Sequence, residues 1–209
     1  MPEFREENLD EIADFIRKYP FITLVGASGT DISATQIPVL VERKEKTIIL
    51  KGHIMRNTDH HKTLVASPQA LCISTGPHCY VSSSWYTQRS VGSTWNYMTV
   101  QLKGEIRWMN DEETYKLLVE TTRQFEAGEA QPELVEDMNQ EYVRRMIKAI
   151  EGFEMVATDI RATFKLSQNR DDESYLNIVR NLSALKDAGS QAVAGEMKTR
   201  RPQLFSDDE

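Results

Sequence analysis

Three groups of residues in this chain could do chemistry. The first is defined by what it lacks. From His60 to Gly104 no Asp or Glu occurs across 45 residues, in a chain of 209 residues with 32 acids. The same stretch holds Lys62, Arg89 and Lys103, together with 12 Ser or Thr residues. A site that receives an anion excludes carboxylates, because like charges repel and desolvation strengthens the repulsion. Such a site also offers hydroxyls, backbone N–H groups and Lys or Arg as donors. Buried strands are poor in acids too, so composition alone supports either reading.

All four histidines, His53, His60, His61 and His78, lie close to or within this stretch. His60 and His61 are adjacent and point apart, and no carboxylate or thiol stands at a helical i+4 position from any of the four, so the spacing does not make a metal site. Tyr80, Trp85, Tyr86, Trp95 and Tyr97 cluster nearby, interleaved with Ser82, Ser83, Ser84, Gln88, Thr94 and Asn96. These residues could wall a flat heteroaromatic ligand, or form a core corner with a subunit interface. Ser82–Ser84 lack a nucleophile elbow. Gly26-x-x-Gly29 lacks the third glycine of a dinucleotide fingerprint and the lysine of a P-loop. The third group is Lys165-Leu166-Ser167-Gln168-Asn169-Arg170. From Ile160 to Arg170 no acid occurs, while Arg161, Lys165 and Arg170 do. This run reads as a ligand edge or as the approach to a helix.

These groups must be positioned by recognisable elements. Asn8 followed by Glu11 opens a helix carrying Leu9, Ile12, Phe15 and Ile16 on one face, stopped by Pro20. Short β-type runs follow at Phe21–Val25, Ile37–Val41, Thr47–Leu50, Leu71–Ser74 and Cys79–Ser82, with a short helix over Asp59–Ala66. Tyr97–Met109 reads as a strand in which Gly104 marks a bend or bulge. Asn110 with Glu113 opens a second helix, 126–138 is a loop or short helix, and a further helix ends near Gly152. Residues 153–164 form a long strand, and Asp171 or Asp172 caps a helix carrying Tyr175, Ile178, Val179, Leu182 and Leu185. The end, 200–209, is expected to fray. Most strand-to-strand gaps are too short for crossover helices. The pattern therefore predicts a mostly β, α+β chain: a small antiparallel barrel with peripheral helices.

Composition sets outer bounds. With 40% hydrophobic and 27% charged residues the chain is not wholly disordered or low-complexity. No apolar run approaches the ~20 residues of a membrane-spanning helix, and Met1–Glu7 is too acidic for a signal peptide. Cys72 and Cys79 make no disulfide framework, so a cytoplasmic location is the expectation. A net charge of −7 opposes general nucleic-acid coating. Direct DNA binding would need a local patch, for which Arg144, Arg145 and Lys148, or Lys198, Arg200 and Arg201, are the candidates; both read more readily as solvated helix faces.

Five strings in order resemble the PaiB family of FMN-binding negative transcriptional regulators: Gly52-His53-Ile54-Met55-Arg56-Asn57, Gly76-Pro77-His78-Cys79-Tyr80-Val81-Ser82, Ser84-Trp85-Tyr86, Thr94-Trp95-Asn96-Tyr97 and Lys165-Leu166-Ser167-Gln168-Asn169-Arg170. The resemblance runs from near residue 4 to about residue 185. It implies an FMN-binding split β-barrel similar to pyridoxamine-phosphate oxidase, acting as a homodimer with flavin at the subunit interface. It also implies a flavin domain over 1–170, with a helical extension and acidic tail over 171–209 in the same structural unit.

Residue by residue, Asn57-Thr58-Asp59-His60-His61-Lys62 is similar to the turn that holds the flavin phosphate. Lys62 falls on the family's lysine, His61 replaces its arginine, and Arg56 could complete the clamp. The resemblance places His53, Trp95, Asn96 and Tyr97 near the flavin, with Lys165, Ser167, Gln168 and Asn169 as the C-terminal signature. Gln36 stands where family members often carry His. A flavin-dependent regulator or sensor is the leading expectation. The alternatives are an FMN-dependent oxidoreductase, with His53, His60 and Tyr97 near substrate, and a haem-binding split barrel with His53 or His78 as axial ligand. No catalytic residue is assigned.

Overall fold

The computed structural model describes residues 2–205. Its elements, in order, are Arg5–Glu6 (β1), Leu9–Lys18 (α1), Phe21–Ser28 (β2), Asp31–Pro38 (β3), Leu40–Lys44 (β4), Thr47–Met55 (β5), Asp59–Ala66 (α2), Gln69–Val81 (β6), Thr94–Trp108 (β7), Asp111–Phe125 (α3), Gln140–Ala149 (α4), Ile150–Lys165 (β8), Asp172–Ala184 (α5) and Ala188–Arg200 (α6). The strand order is β3-β2-β6-β7-β8-β5-β4, with β1 added beside β8. The ladders β2–β3, β2–β6, β4–β5, β5–β8 and β1–β8 are antiparallel. This is the expected α+β class, an antiparallel sheet with peripheral helices, and the strand path stays open between β3 and β4.

The chain divides into two compact units: Asn8–Ser74 with Gln101–Ile160, and Met1–Glu7 with Thr75–Val100 and Arg161–Glu209. In the Asn8–Ser74 unit, Asn8 caps α1 by accepting from the Asp10 and Glu11 N–H groups. Ile12, Phe15 and Ile16 are buried at helical spacing, and α1 packs on β4 and β5. Each such side chain contributes about 1.5–3 kcal/mol through burial. The Asn110–Glu113 capping box of α3 forms in both directions. Gly29 takes a positive φ of 60° in the two-residue turn from β2 to β3, a conformation that suits glycine.

Several elements differ from the sequence reading. The runs at 71–74 and 79–82 belong to one strand, β6, carried through Gly76 and Pro77. The run at 37–41 is divided between β3 and β4. Gly104 makes no break in β7. Its missing side chain admits β8: a Cβ there would strike the Val156 carbonyl oxygen and lie 2.8 Å from Met155 Cγ. The sequence reading did not include α6. Gly189, Gly195 and small residues blur its apolar stripe and lower its propensity, yet Asp187 caps it and Val193, Ala194 and Met197 are buried. The expected fraying at 200–209 does not hold through Phe205, because Pro202–Leu204 forms a 3₁₀ turn. Ser206–Glu209 lie outside the described residues.

Helix α2 is pinned to the β2–β3 hairpin by three contacts. Leu64 fills the space beside Gly26, where a Cβ would come within 2.6 Å of Leu64 Cδ2. Thr63 Oγ1 meets Ser33 Oγ at 3.2 Å. His60 Nδ1 meets Thr35 Oγ1 at 2.8 Å, while its buried Nε2 has no partner and faces Gly26. Burial pushes the His60 and His53 imidazoles below their ordinary pKa. The unfolded chain therefore takes up protons at a histidine's usual value of about 6.5, before the folded protein does, and stability falls as the pH is lowered through that window. The urea midpoint is expected to drop between about pH 7 and pH 5.5, and His60→Gln to flatten that slope. An equal slope in the variant would show that His60 does not carry the effect.

Candidate functional site

The turn before α2 is built around one carboxylate. Arg56 leaves the end of β5 with its N–H on the Ala149 carbonyl at 2.9 Å and its Nε on the Ile150 carbonyl at 2.6 Å. Its guanidinium lies 3.0 Å from Glu151 Oε1. The other carboxylate oxygen of Glu151 lies 2.5 Å from His61 Nε2. Asn57, in the left-handed region at φ 64°, donates its N–H to His61 Nδ1 at 3.4 Å. Nδ1 is thus the acceptor, and the ring proton sits on Nε2, facing Glu151. Trp108 lies against the same ring at 5.3 Å between centroids. Thr58 caps α2 by accepting the His61 N–H and donates its own hydroxyl to the Met55 carbonyl.

Arg56 and His61 are therefore committed to Glu151. Lys62 is not: its side chain is 66% exposed, and its ion-pair partner among the described residues is Asp59, at 3.6 Å. Asn57 and Thr58 are exposed as well. His53 lies on β5 opposite Gly152, sharing a strand face with Lys51 and Met55. Gln36 is exposed on β3 opposite Thr23.

The other unit holds the aromatic and C-terminal groups. Strand β7 alternates, so Trp95 and Tyr97 share one face while Asn96 and Met98 are buried on the other. His78 and Tyr80 of β6 lie beside Trp95, at 6.2 and 6.1 Å between ring centroids. Asn96 is fully buried, with Oδ1 accepting from Ser167 Oγ at 3.0 Å and Nδ2 facing Met197 Sδ at 3.6 Å. Its amide thus supports the left-handed Ser167, at φ 59°, from below. Gln168 spends its side chain on the Leu166 N–H and the Phe164 carbonyl. Lys165 donates to Thr94 Oγ1, and Asn169 is exposed.

The structure thus brings Arg56, Asn57, Thr58, His61 and Lys62 together in one unit. In the other it brings Asn96, Lys165, Ser167, Gln168 and Asn169 together, with Trp95 and Tyr97 on the opposite strand face from Asn96. Two participants were not picked out from sequence, Glu151 and Trp108, while Arg170 was noted only as part of a basic, acid-free run. Nothing local marks Glu151, which acts across 90 residues from His61. Arg170 ends the Lys165–Arg170 run, and that position was the available signal. Tyr86, buried beneath Arg170 with the guanidinium 4.1 Å from its ring centroid, belongs with it.

Residues 1–159 match a family model described as "Putative FMN-binding domain". The chain belongs to this FMN-binding family. It is 28% identical over 197 residues to "Protease synthase and sporulation protein PAI 2" of Bacillus subtilis (strain 168), covering 94% of this chain and 95% of that protein. Among solved structures, it superposes on a flavocytochrome, Anf3, from Azotobacter vinelandii at a TM-score of 0.60, with 11% identity and coverage of 83% of this chain and 75% of that one. A FAD and heme binding protein from Mycobacterium smegmatis gives 0.58, with 15% identity and coverage of 82% and 78%. These structural likenesses show the fold.

The donor chemistry at the α2 turn fits a phosphate monoester. Asn57 and Lys62 are exposed there, and a helix N-terminus favours an anion. The fit uses fewer cations than the resemblance implied, because Arg56 and His61 are occupied. Glu151→Ala is expected to cost about 1–3 kcal/mol in denaturant unfolding, since it strips partners from two half-buried groups. Asp111→Ala, which removes an exposed carboxylate 3.7 Å from Arg56, should change stability by less than about 1 kcal/mol. Equal effects would contradict a central role for Glu151.

Proposed function

We propose that the protein is an FMN-binding regulator or sensor that works as a homodimer with flavin at the subunit interface. Family membership over 1–159 supports the cofactor. Similarity to the PAI 2 protein along nearly the whole chain supports the regulatory reading. The observation that carries the placement is the exposed Lys62 beside Asn57 at the mouth of α2, the cation of that turn left outside the Glu151 cluster. Lys62 and Asn57 hold the phosphate by charge-assisted hydrogen bonds, and Thr58 orients the helix end that faces it. Bound flavin supplies hydride or electron transfer at its ring. Trp95 and Tyr97, with His78 and Tyr80, give a partly exposed aromatic face suited to a planar ring or a second subunit.

A sensor is favoured over an oxidoreductase by the place of His60. A residue proposed near substrate is enclosed between Gly26, Thr35 and Leu64. Residues 171–209 are read as an extension of the flavin domain rather than a separate module, because Arg201 from the end of α6 donates to the Gln168 and Arg170 carbonyls. The same contacts remove Arg201 from a DNA-binding patch. Arg200 is turned to Glu6, so direct DNA contact forms no part of the proposal.

Lys62→Ala is expected to weaken FMN binding by about tenfold or more, as loss of one charge-assisted contact predicts. Flavin fluorescence quenching reads the dissociation constant, and an unchanged value would refute the phosphate placement.

A further inference from the structure

Few buried contacts fasten helix α2 to the β2–β3 hairpin of its own unit. The buried side chains of α2 are His60, Thr63 and Leu64, which share one face at i, i+3 and i+4. Leu64 alone among them is apolar, and the neighbouring Val65 is exposed. Thr63 donates its hydroxyl to the Asp59 carbonyl at 2.9 Å and is left to accept from Ser33 at 3.2 Å. An open cavity of about 600 Å³ lies between the helix and the β2–β3 turn, with Ser28, Asp31, Ser33, Thr63 and Ala66 in its wall. A helix held by so little buried apolar surface opens locally at a lower cost than the core of its unit.

The remaining contact is sensitive to protons. His60 is 5% exposed, and its Nδ1 meets Thr35 Oγ1 at 2.8 Å. Nε2 has no partner and faces Gly26. A neutral ring leaves that one nitrogen unsatisfied in either tautomer. An imidazolium would carry two N–H donors with one acceptor beside them, and its charge would be enclosed without compensation. Among the described residues no carboxylate meets the ring. Strand β2 has no titratable residue. On β3 the only one is Asp31, exposed at the turn. On α2 itself Asp59 and Lys62 are exposed, and His61 is turned to Glu151. Burial accordingly pushes the His60 imidazole below its ordinary pKa.

We propose that His60 is a proton-operated latch, which holds α2 on the β2–β3 hairpin while neutral and releases the helix, with the anion-binding mouth at its N-terminus, when protonated. Released, the ring regains water on both nitrogens. A proton accepted by the released ring and refused by the docked one shifts the balance toward release by up to about tenfold per pH unit. Docking is therefore at full strength above the ordinary histidine value of about 6.5 and weakens as the pH falls below it. The consequence for flavin rests on the phosphate placement at α2, whereas the latch itself does not.

Hydrogen exchange of the full chain, without ligand, tests the latch. Amides of α2 are expected to be less protected than those of α1 in the same unit. Their opening constant, corrected for the intrinsic exchange rate, should rise by about fivefold or more between pH 7.5 and pH 5. His60→Gln, which keeps an amide able to bond Thr35, should remove that rise. In the parent chain the His60 ring, followed by NMR, should take up its proton below the ordinary histidine value, a reading that does not depend on the variant folding. Saturating FMN should raise the protection of α2 at pH 5. An α2 that opens only together with α1 at every pH, an equal rise in His60→Gln, or a His60 ring that titrates at about 6.5 would each overturn the latch. FMN that binds without protecting α2 would overturn its link to the ligand. No binding of FMN at pH 7.5 would overturn the phosphate placement, while the latch is decided on the free chain.

Discussion

The carboxylate of Glu151 ties the start of β8 to the turn that opens α2. Its two oxygens meet Arg56 and His61, and both side chains are further anchored, one to the Ile150 carbonyl and the other to the Asn57 N–H. With a side-chain exposure of 16%, Glu151 is shielded enough for these bonds to be stronger than a surface ion pair. The left-handed Asn57, the Thr58 cap and the direction of α2 all lie within one turn of that cluster. The mouth of the helix is therefore preset, which is the condition for recognising a phosphate without spending binding energy on ordering the site.

This arrangement divides the donors of the turn into two kinds. Arg56 and His61 are structural and turned inward to Glu151. Lys62 stays exposed, with Asp59 at 3.6 Å. The resemblance alone suggested a clamp in which His61 stands in for an arginine. In the structure the imidazole is held by an acid that the local sequence does not display.

Local signals carried much of the fold. The caps at Asn8 and Asn110 marked their helices, the choice between Asp171 and Asp172 falls on Asp171, and Asp59–Ala66 was bounded correctly because Thr58 and the following Ser67-Pro68 punctuate it. Failures came where a long-range contact outweighed local preference. Gly76 and Pro77 read as a break between strands, yet β6 passes through both. Gly104 read as a bulge because the carbonyl of Val156, which it accommodates, lies far along the chain. Helix α6 has too little apolar contrast to be seen without its partner α5, on which Tyr175 donates to the Met197 carbonyl at 2.8 Å. At the site, residue types were legible and pairings were not. Asn96 read as a ligand amide, and its burial under Met197 depends on a helix the sequence did not announce.

The comparison of FMN with riboflavin, titrated into the unmodified chain, tests the central claim most directly. The two ligands share the ring and differ in the phosphate. A site built from Asn57, Lys62 and the N-terminus of α2 predicts that FMN binds about tenfold or more tightly than riboflavin, and that the advantage shrinks as salt is raised. Equal affinity for both, or no binding of FMN, would contradict it.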